Sequence, residues 1–480
     1  MEMNKKQKIT DMTQGPVFPQ MARFALPVLF GMLCQRLYNF ADTYIVGHFL
    51  GDEALAAVSI AGTATYMLFS LIMGVTTGVG VVVSQFYGAQ KDDEIRKAFV
   101  AGGYVAGAMS LLITAAGMLT THPLLGLLRT SKELMPMAAA YLLVIYAGSG
   151  ATMLYNFSAA ILRALGNSLV PLLFLILSSA LNIFLDVAFI AWIPMGTAGA
   201  AFATILAQLI SGVLCVGYTL RMLPFLKGSG RERRPDRRLI REVLRYGLPT
   251  GLQMCIISVS DMTLQAVINT YGTVMIVAYG VCMKVEGLGF QLADAIGSAV
   301  GTFTGQNIGA GDYARVKKGV RSAYFLNVLC YGIFCPAVFV FAEPIMRAFT
   351  QTPEAVGLGA EYMRIFTAFF LAGGILVVYH NILRASGDVA VTVLMGVSEV
   401  VTRIGCAFLL PRFFGYQGLW FVSPLTWTCA ALVGGTRYYS GAWRRRQNVD
   451  NMQDICRDVE KQQETGIGGC PDGKEEKVED

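Results

Sequence analysis

The chain has 480 residues, of which 54% are hydrophobic and only 15% charged, with a formal net charge of +6. A soluble domain carries roughly 25% charge, and apolar runs of about 20 residues recur along the whole length, so the composition excludes a water-soluble fold and points to an all-α polytopic membrane protein. A transmembrane β-barrel is excluded as well, because it would show ~10-residue segments of alternating hydrophobicity.

Residues 1–17, beginning MEMNKKQKIT, read as a polar cytoplasmic N-terminus without an A-x-A-like cleavage site, so the first helix is expected to be retained. Twelve spans follow, predicted at 18–49, 54–83, 96–121, 134–162, 168–193, 197–223, 242–270, 275–302, 316–342, 357–384, 389–411 and 416–441. In the first, Pro27 removes an i→i−4 hydrogen bond and should kink the helix. Further on, RLYNFADTYIVGHFLG (36–51) places a carboxylate, Asp42, inside an apolar run. Such a group costs roughly 2.5–3.5 kcal/mol at the centre of a membrane helix on insertion scales. Tyr38, Asn39 and Asp42 are three and four residues apart and share a face, which Gln35 extends by one turn. Span five repeats the pattern in SALNIFLDVAFI, where Asn182 and Asp186 are four apart, and span six adds Thr204.

Lys and Arg gather in alternate loops: Lys91, Arg96 and Lys97; Arg163; Arg231, Arg233, Arg234, Arg237, Arg238 and Arg241; Arg315, Lys317, Lys318 and Arg321; Arg444–Arg446. The opposite loops hold Arg129, Lys132, Arg347 and Arg412. The positive-inside rule therefore puts both termini in the cytoplasm. A short connector between spans makes a poor nucleic-acid site, so no nucleic-acid partner is expected from the basic cluster at 231–241. Ten cysteines and three histidines, His48, His122 and His380, are scattered without metal-site spacing.

The chain also repeats itself at an offset of 221: Gly51 meets Gly272, Gln85 meets Gln306, Gly88 meets Gly309, Pro123 meets Pro344, Tyr141 meets Tyr362, and ILRA at 161–164 meets ILRA at 382–385. Near the ends the offset drifts, so that Pro27 pairs with Pro249. Two parallel six-helix repeats around a central cavity are expected: an N-lobe at 18–223 and a C-lobe at 242–442, joined by a linker at 224–241 and followed by a disordered tail at 443–480. Asp42 maps to Thr263 and Asp186 to Ala407, or to Cys406–Gly405 with the drift, so the acids are not repeated. An acid needed only to build the fold should recur; these read as functional. Two close carboxylates repel as anions, so one binds a cation or keeps a proton. The second half has its own buried charges, Asp261, Lys284, Glu286, Asp294, Glu399 and Arg403. Lys284 is expected to meet one of the acids and Glu399 to pair with Arg403, leaving Asp261 and Asp294 without a local partner. An acidic cavity with aromatic walls suits amphipathic organic cations.

Taken in order and with the repeat, LYNFADTYIVGHFLG, SQFYGAQ, ILRALGN, LNIFLDVAFI, MGTAGAAFAT and GQNIGAGD resemble the MATE family of multidrug and toxin extrusion transporters, in its DinF/MepA-like bacterial branch, over roughly residues 15–442. The resemblance implies a V-shaped twelve-helix fold that exports cationic drugs in exchange for Na⁺ or H⁺; alternating access, a cell-membrane location, no cofactor beyond the coupling ion and a monomer are expected alongside it. It implies a cation-coupling site of Asp42, Asn182, Asp186, Thr204 and the carbonyl of Ala200, which would hold Na⁺ if the coupling ion is sodium. It also puts Gln35, Tyr38, Tyr141 and Asn156 near the drug cavity, beside the residue-level candidates Asn39, Asp261 and Asp294. A C-lobe acid of the NorM-like kind is missing from the body of span ten, where no Asp or Glu follows Glu361 and, past Arg364, His380 is the only His, Lys or Arg before Arg384. A lipid-linked oligosaccharide flippase, which would need a more basic cavity, is the competing transport reading, kept open by Arg36 and Lys284. An intramembrane enzyme has no nucleophile–base or metal constellation behind it.

Overall fold

A computed structural model describes residues 10–227 and 234–444. The expected tail from 445, the first nine residues and linker residues 228–233, with Arg231 and Arg233, lie outside the described residues. Helices follow one another throughout: α1 (Val17–Leu50), α2 (Asp52–Gly88), α3 (Asp92–Leu127), α4 (Met135–Ala147), α5 (Ser149–Ala164), α6 (Leu169–Val187), α7 (Gly196–Met222), α8 (Arg237–Asn269), α9 (Thr273–Gly309), α10 (Tyr313–Val340), α11 (Ala342–Phe349), α12 (Pro353–Ala385), α13 (Val389–Phe414), α14 (Gln417–Trp420) and α15 (Val422–Tyr439). Among the described residues, eleven spans are long and apolar enough to cross a bilayer, and α4 with α5, bent by 48°, makes a twelfth if the pair is one span. The bend falls at Gly148, where a Cβ would stand 2.3 Å from the Ile205 side chain of α7. Bare glycine backbone there admits the neighbouring helix. Large apolar side chains such as Leu111, Leu119, Ile333 and Phe413 remain exposed, as a lipid-facing surface requires.

The helices outrun the predicted spans at several ends, and at α8 and α10 a side-chain cap accounts for the earlier start. The clearest case is α8, which starts inside the expected linker: the Asp236 side chain accepts from Arg238 N at 2.8 Å, an N-cap that fixes the first turn. The repeat is visible in the backbone. Gly51 and Gly272 turn between their helices with φ of 85° and 92°, conformations that glycine adopts without a steric penalty.

The two lobes, α1–α7 and α8–α15, meet only part of the way along. α2 crosses α8 where a Cβ on Gly74 would lie 2.5 Å from Gly251 N. Farther toward the basic loops, a reciprocal pair of contacts closes the gap. Gln85 Nε2 donates to Ala385 O at 2.8 Å, and its repeat partner Gln306 Nε2 donates to Ala164 O at 2.9 Å. Residues 10–16 add a strap across this end. Met12 is fully buried, its N–H donates to Gln306 Oε1 at 2.9 Å, and its carbonyl accepts from Asn307 Nδ2 and Arg315 Nε. Beyond the crossings the lobes part, and a cavity opens away from the basic loops, with Gly62, Tyr66 and Asp294 exposed on its walls.

The lobes differ inside. In the C-lobe, Phe290, Phe370 and Trp427 pack ring against ring, with centroids 5.2–5.4 Å apart. The N-lobe residue equivalent to Phe370 is Ser149, which bonds to Thr114 and the Ser110 carbonyl instead of filling space. The N-lobe keeps an internal cavity of about 230 Å³.

Candidate functional site

On the cavity side of α1, the Asp42 carboxyl group comes within hydrogen-bonding reach of the Asp186 carboxyl on α6. Asp186 is fully buried, and Asn182, one turn earlier, nearly so. Asn182 Nδ2 donates to Thr204 Oγ1 of α7 at 3.3 Å. Local backbone explains how the three helices meet. Directly after α6 the chain loosens into a π turn, Ala188–Trp192. Gly199 lets the start of α7 lie against that turn, because a Cβ there would be 2.8 Å from Phe189 O. That contact sets Thr204 opposite Asn182. Ala200 is buried with Ile45, Val46 and Ile190, so its backbone is all that it can offer the site.

Asp42 Oδ1, Asn182 Oδ1 and both Asp186 oxygens are buried with no hydrogen-bond donor. Among the described residues no Lys or Arg pairs with either acid. A buried acceptor without a donor costs about 1–3 kcal/mol, and a charged one more. Two carboxylates, an amide oxygen and a hydroxyl form a hard-oxygen set that fits an alkali cation, or a pair that fits a shared proton.

The cavity between the lobes has a volume of about 750 Å³, in the range that takes a drug-sized ligand. Gln35, Tyr38, Asn39, Asp42, Tyr141 and Asp294 line it. The smaller N-lobe cavity is bordered by Pro27, Gln35, Tyr38, Asn156, Asn182 and Thr204, so the kink candidate and the cation candidates share one wall. Pro27 and its counterpart Pro249 both sit inside continuous helices, α1 and α8.

Several expectations are corrected. Asp261 is not an unpaired cavity acid. It forms an ion pair with Arg403, which also donates to Ser260 Oγ at 2.8 Å, and it lines neither cavity. Arg403 is therefore taken, and Glu399 lies 3.6 Å from His380 instead. The four-residue spacing on α13 is outcompeted by partners on α8 and α12. Glu286 accepts from the Tyr362 hydroxyl at 2.8 Å. Lys284 is exposed and in no ion pair among the described residues. Arg163, read as a loop charge, lies in the cavity wall, and so does Arg384 from the second ILRA. Gln208 and Gln291 also line the cavity and were not anticipated. The repeated ILRA was the one signal that could have flagged the two arginines.

Comparison with known proteins decides the family. The MatE family model matches residues 27–188 and 249–409, one block in each lobe. The chain belongs to the MatE family. One MatE relative, the "Probable multidrug resistance protein YpnP" of Bacillus subtilis, is 32% identical over 445 residues, covering 91% of this chain and 98% of the relative. The multidrug export protein MepA of Staphylococcus saprophyticus is 23% identical, covering 93% of this chain and 99% of its own. Among solved structures, a MOP superfamily transporter from Pyrococcus furiosus superposes with a TM-score of 0.84 at 22% identity, over 90% of this chain and 98% of that one. At that identity the match shows the fold, and it is the two-lobed MatE transporter fold. The two matched MatE blocks contain Asp42 and Asp186 in the first and their unlike counterparts Thr263 and Ala407 in the second.

Proposed function

We propose that this MatE protein is a secondary active multidrug exporter of amphipathic organic cations, driven by antiport of Na⁺ or H⁺ through alternating access. The observation that carries the reading is the cluster of donorless oxygens shared by Asp42, Asn182 and Asp186, which reaches the wall of a drug-sized cavity through Asp42. A cation or proton satisfies the cluster, and satisfying it removes negative charge from the wall that holds a cationic drug. Asp42, Asn182, Asp186, Thr204 and the Ala200 carbonyl are the proposed coupling set. Gln35, Tyr38, Asn39, Tyr141, Asn156 and Asp294 are the proposed drug contacts. The names of the relatives, multidrug resistance and multidrug export proteins, support this substrate class. The basic loops support a cytoplasmic position for both termini in the cell membrane, which makes the cavity outward-facing. The protein would work as a monomer, since one chain contains both lobes and the cavity between them.

The test is ethidium uptake into inverted vesicles under separately imposed proton and sodium gradients. Uptake driven by one gradient and lost in Asp42→Asn is the expected result. Gradient-independent uptake, or none, would remove the antiport reading.

A further inference from the structure

The cavity floor is positively charged, and nothing in the transport reading uses that charge. Arg163 ends α5 and Arg384 ends α12; they are equivalent in the repeat and approach the floor from opposite lobes. Each is followed by the alanine whose carbonyl the opposite lobe's glutamine grips, so both are held just above the closure. Arg384 is 8% exposed, its Nε has no hydrogen-bond partner, and its one side-chain hydrogen bond among the described residues is a long 3.5 Å bond from Nη2 to Gln253 Oε1. Arg163 has no ion pair among the described residues, and the titratable groups acting on it are Tyr155 and Cys215 rather than any carboxylate. Asp294 is exposed on the same wall, close enough to feel both Arg384 and Arg36 yet in salt-bridge contact with neither. Arg36 itself lies over Gly287 of α9, where its guanidinium is 3.1 Å from the position of a Cβ. Three guanidinium groups thus line the cavity, and two of them, Arg384 and Arg36, lie near Asp294.

Burying a cation without a counter-ion is costly, and a guanidinium satisfies itself best with a planar oxyanion bound through two N–H groups. We propose that Arg384, with Arg163 opposite it, forms a subsite for an oxyanion carried by the transported molecule, and that Asp294 holds the same molecule's cationic group. The preferred substrates are then dipolar amphiphiles, with a carboxylate a few ångströms from a positive centre, rather than simple cations. The inference rests on the export reading above and narrows its substrate class.

The matched probes are rhodamine 110, whose carboxylate is free, and rhodamine 123, its methyl ester, which keeps the same cationic ring system. Binding is measured by fluorescence polarisation on the purified full chain. Rhodamine 110 should bind roughly tenfold or more tightly than the ester, the size expected of a charge-assisted hydrogen bond. Arg384→Gln and Arg163→Gln should each erase the preference by weakening the acid, and ester binding that is retained, or tighter where a positive charge near Asp294 is gone, certifies the fold. Where a Gln variant does not fold, Arg384→Lys takes its place; it keeps the charge without the fork and should retain only part of the preference. Equal affinities in the wild type, or a preference that survives in the Arg384 and Arg163 variants alike, overturns the subsite. Ester binding and flux without an acid preference would sink this inference and leave cation export standing. Acid binding without ester binding would do the reverse.

Discussion

Asp42 and Asp186 occupy one site on helices whose repeat counterparts carry Thr263 and Ala407, so the second lobe folds without them. On the proposed reading, what the acids add is a place for charge that comes and goes. If they act as one unit, Asp42→Asn and Asp186→Asn should each abolish gradient-driven dye transport with expression intact, and the double variant should be no worse than either single, because the effects of coupled residues do not add. Near-normal transport from both single variants in a vesicle assay would take the pair out of the mechanism. These residues were legible in the sequence because a lone acid in an apolar run has few structural excuses. Asp261 looked equally exposed to that logic and was misread, since its partner Arg403 is 142 positions away and only the packing of α13 on α8 brings them together. Arg384 escaped notice for a related reason. An arginine at a predicted helix end looks like an anchor at the membrane surface, and α12 continues only one residue past it.

Helix ends and crossings hold the closed side of the molecule. The Gln85–Ala385 and Gln306–Ala164 bonds are reciprocal and sit on helices that must separate if the cavity is to open toward the basic loops. At about 1 kcal/mol net per bond, the pair biases the closed arrangement by about 2 kcal/mol, or roughly 30-fold. Replacing both glutamines with leucine should therefore move a measurable fraction of molecules to the other state. Spin labels on the exposed Lys91 and Lys317 in a cysteine-free background would report it as a longer distance; an unchanged distance distribution would mean that the glycine crossings suffice. Pro27 belongs to the same scale. It removes one backbone bond from α1 and faces the small cavity beside Asn182 and Thr204. Pro27→Ala restores the donor, and dye binding is expected to survive while turnover falls severalfold; transport at the wild-type rate would make the proline merely structural. The helices themselves were readable from apolar length, and the matched glutamines and glycines from the offset. The strap at residues 10–16 was not readable, because Met12 is buried by contacts nearly 300 positions distant, and a short polar N-terminus gives no local sign of them.

For the molecule as a whole, coupling requires that drug and ion oppose each other through the shape they share. The lobes close at one end, the cavity opens at the other, and Asp42 brings the acid pair to the wall of that cavity. Occupancy of the pair by a proton or a sodium ion removes negative charge from the cavity wall. A cationic ligand is then held less tightly, and linkage demands that the ligand weaken ion binding by the same factor. The sign follows directly: lowering pH fills the pair with protons, so affinity for a cationic dye should fall as pH falls, or as Na⁺ rises if sodium is the coupling ion. A coupling of 1–3 kcal/mol, typical of such systems, corresponds to about 5–150-fold in dye affinity. Titrating rhodamine 123 against the purified protein across pH and across Na⁺ concentration at constant ionic strength measures it. In Asp42→Asn the dependence should flatten, since the remaining acid no longer shares its proton with a charged neighbour. The Arg384→Gln variant should leave the dependence for this ester intact, because the floor subsite proposed here reads oxyanions and the ester has none. A wild-type affinity that ignores both pH and Na⁺ would separate the acid pair from drug binding, and the exchange mechanism would have no physical link between its two cargoes.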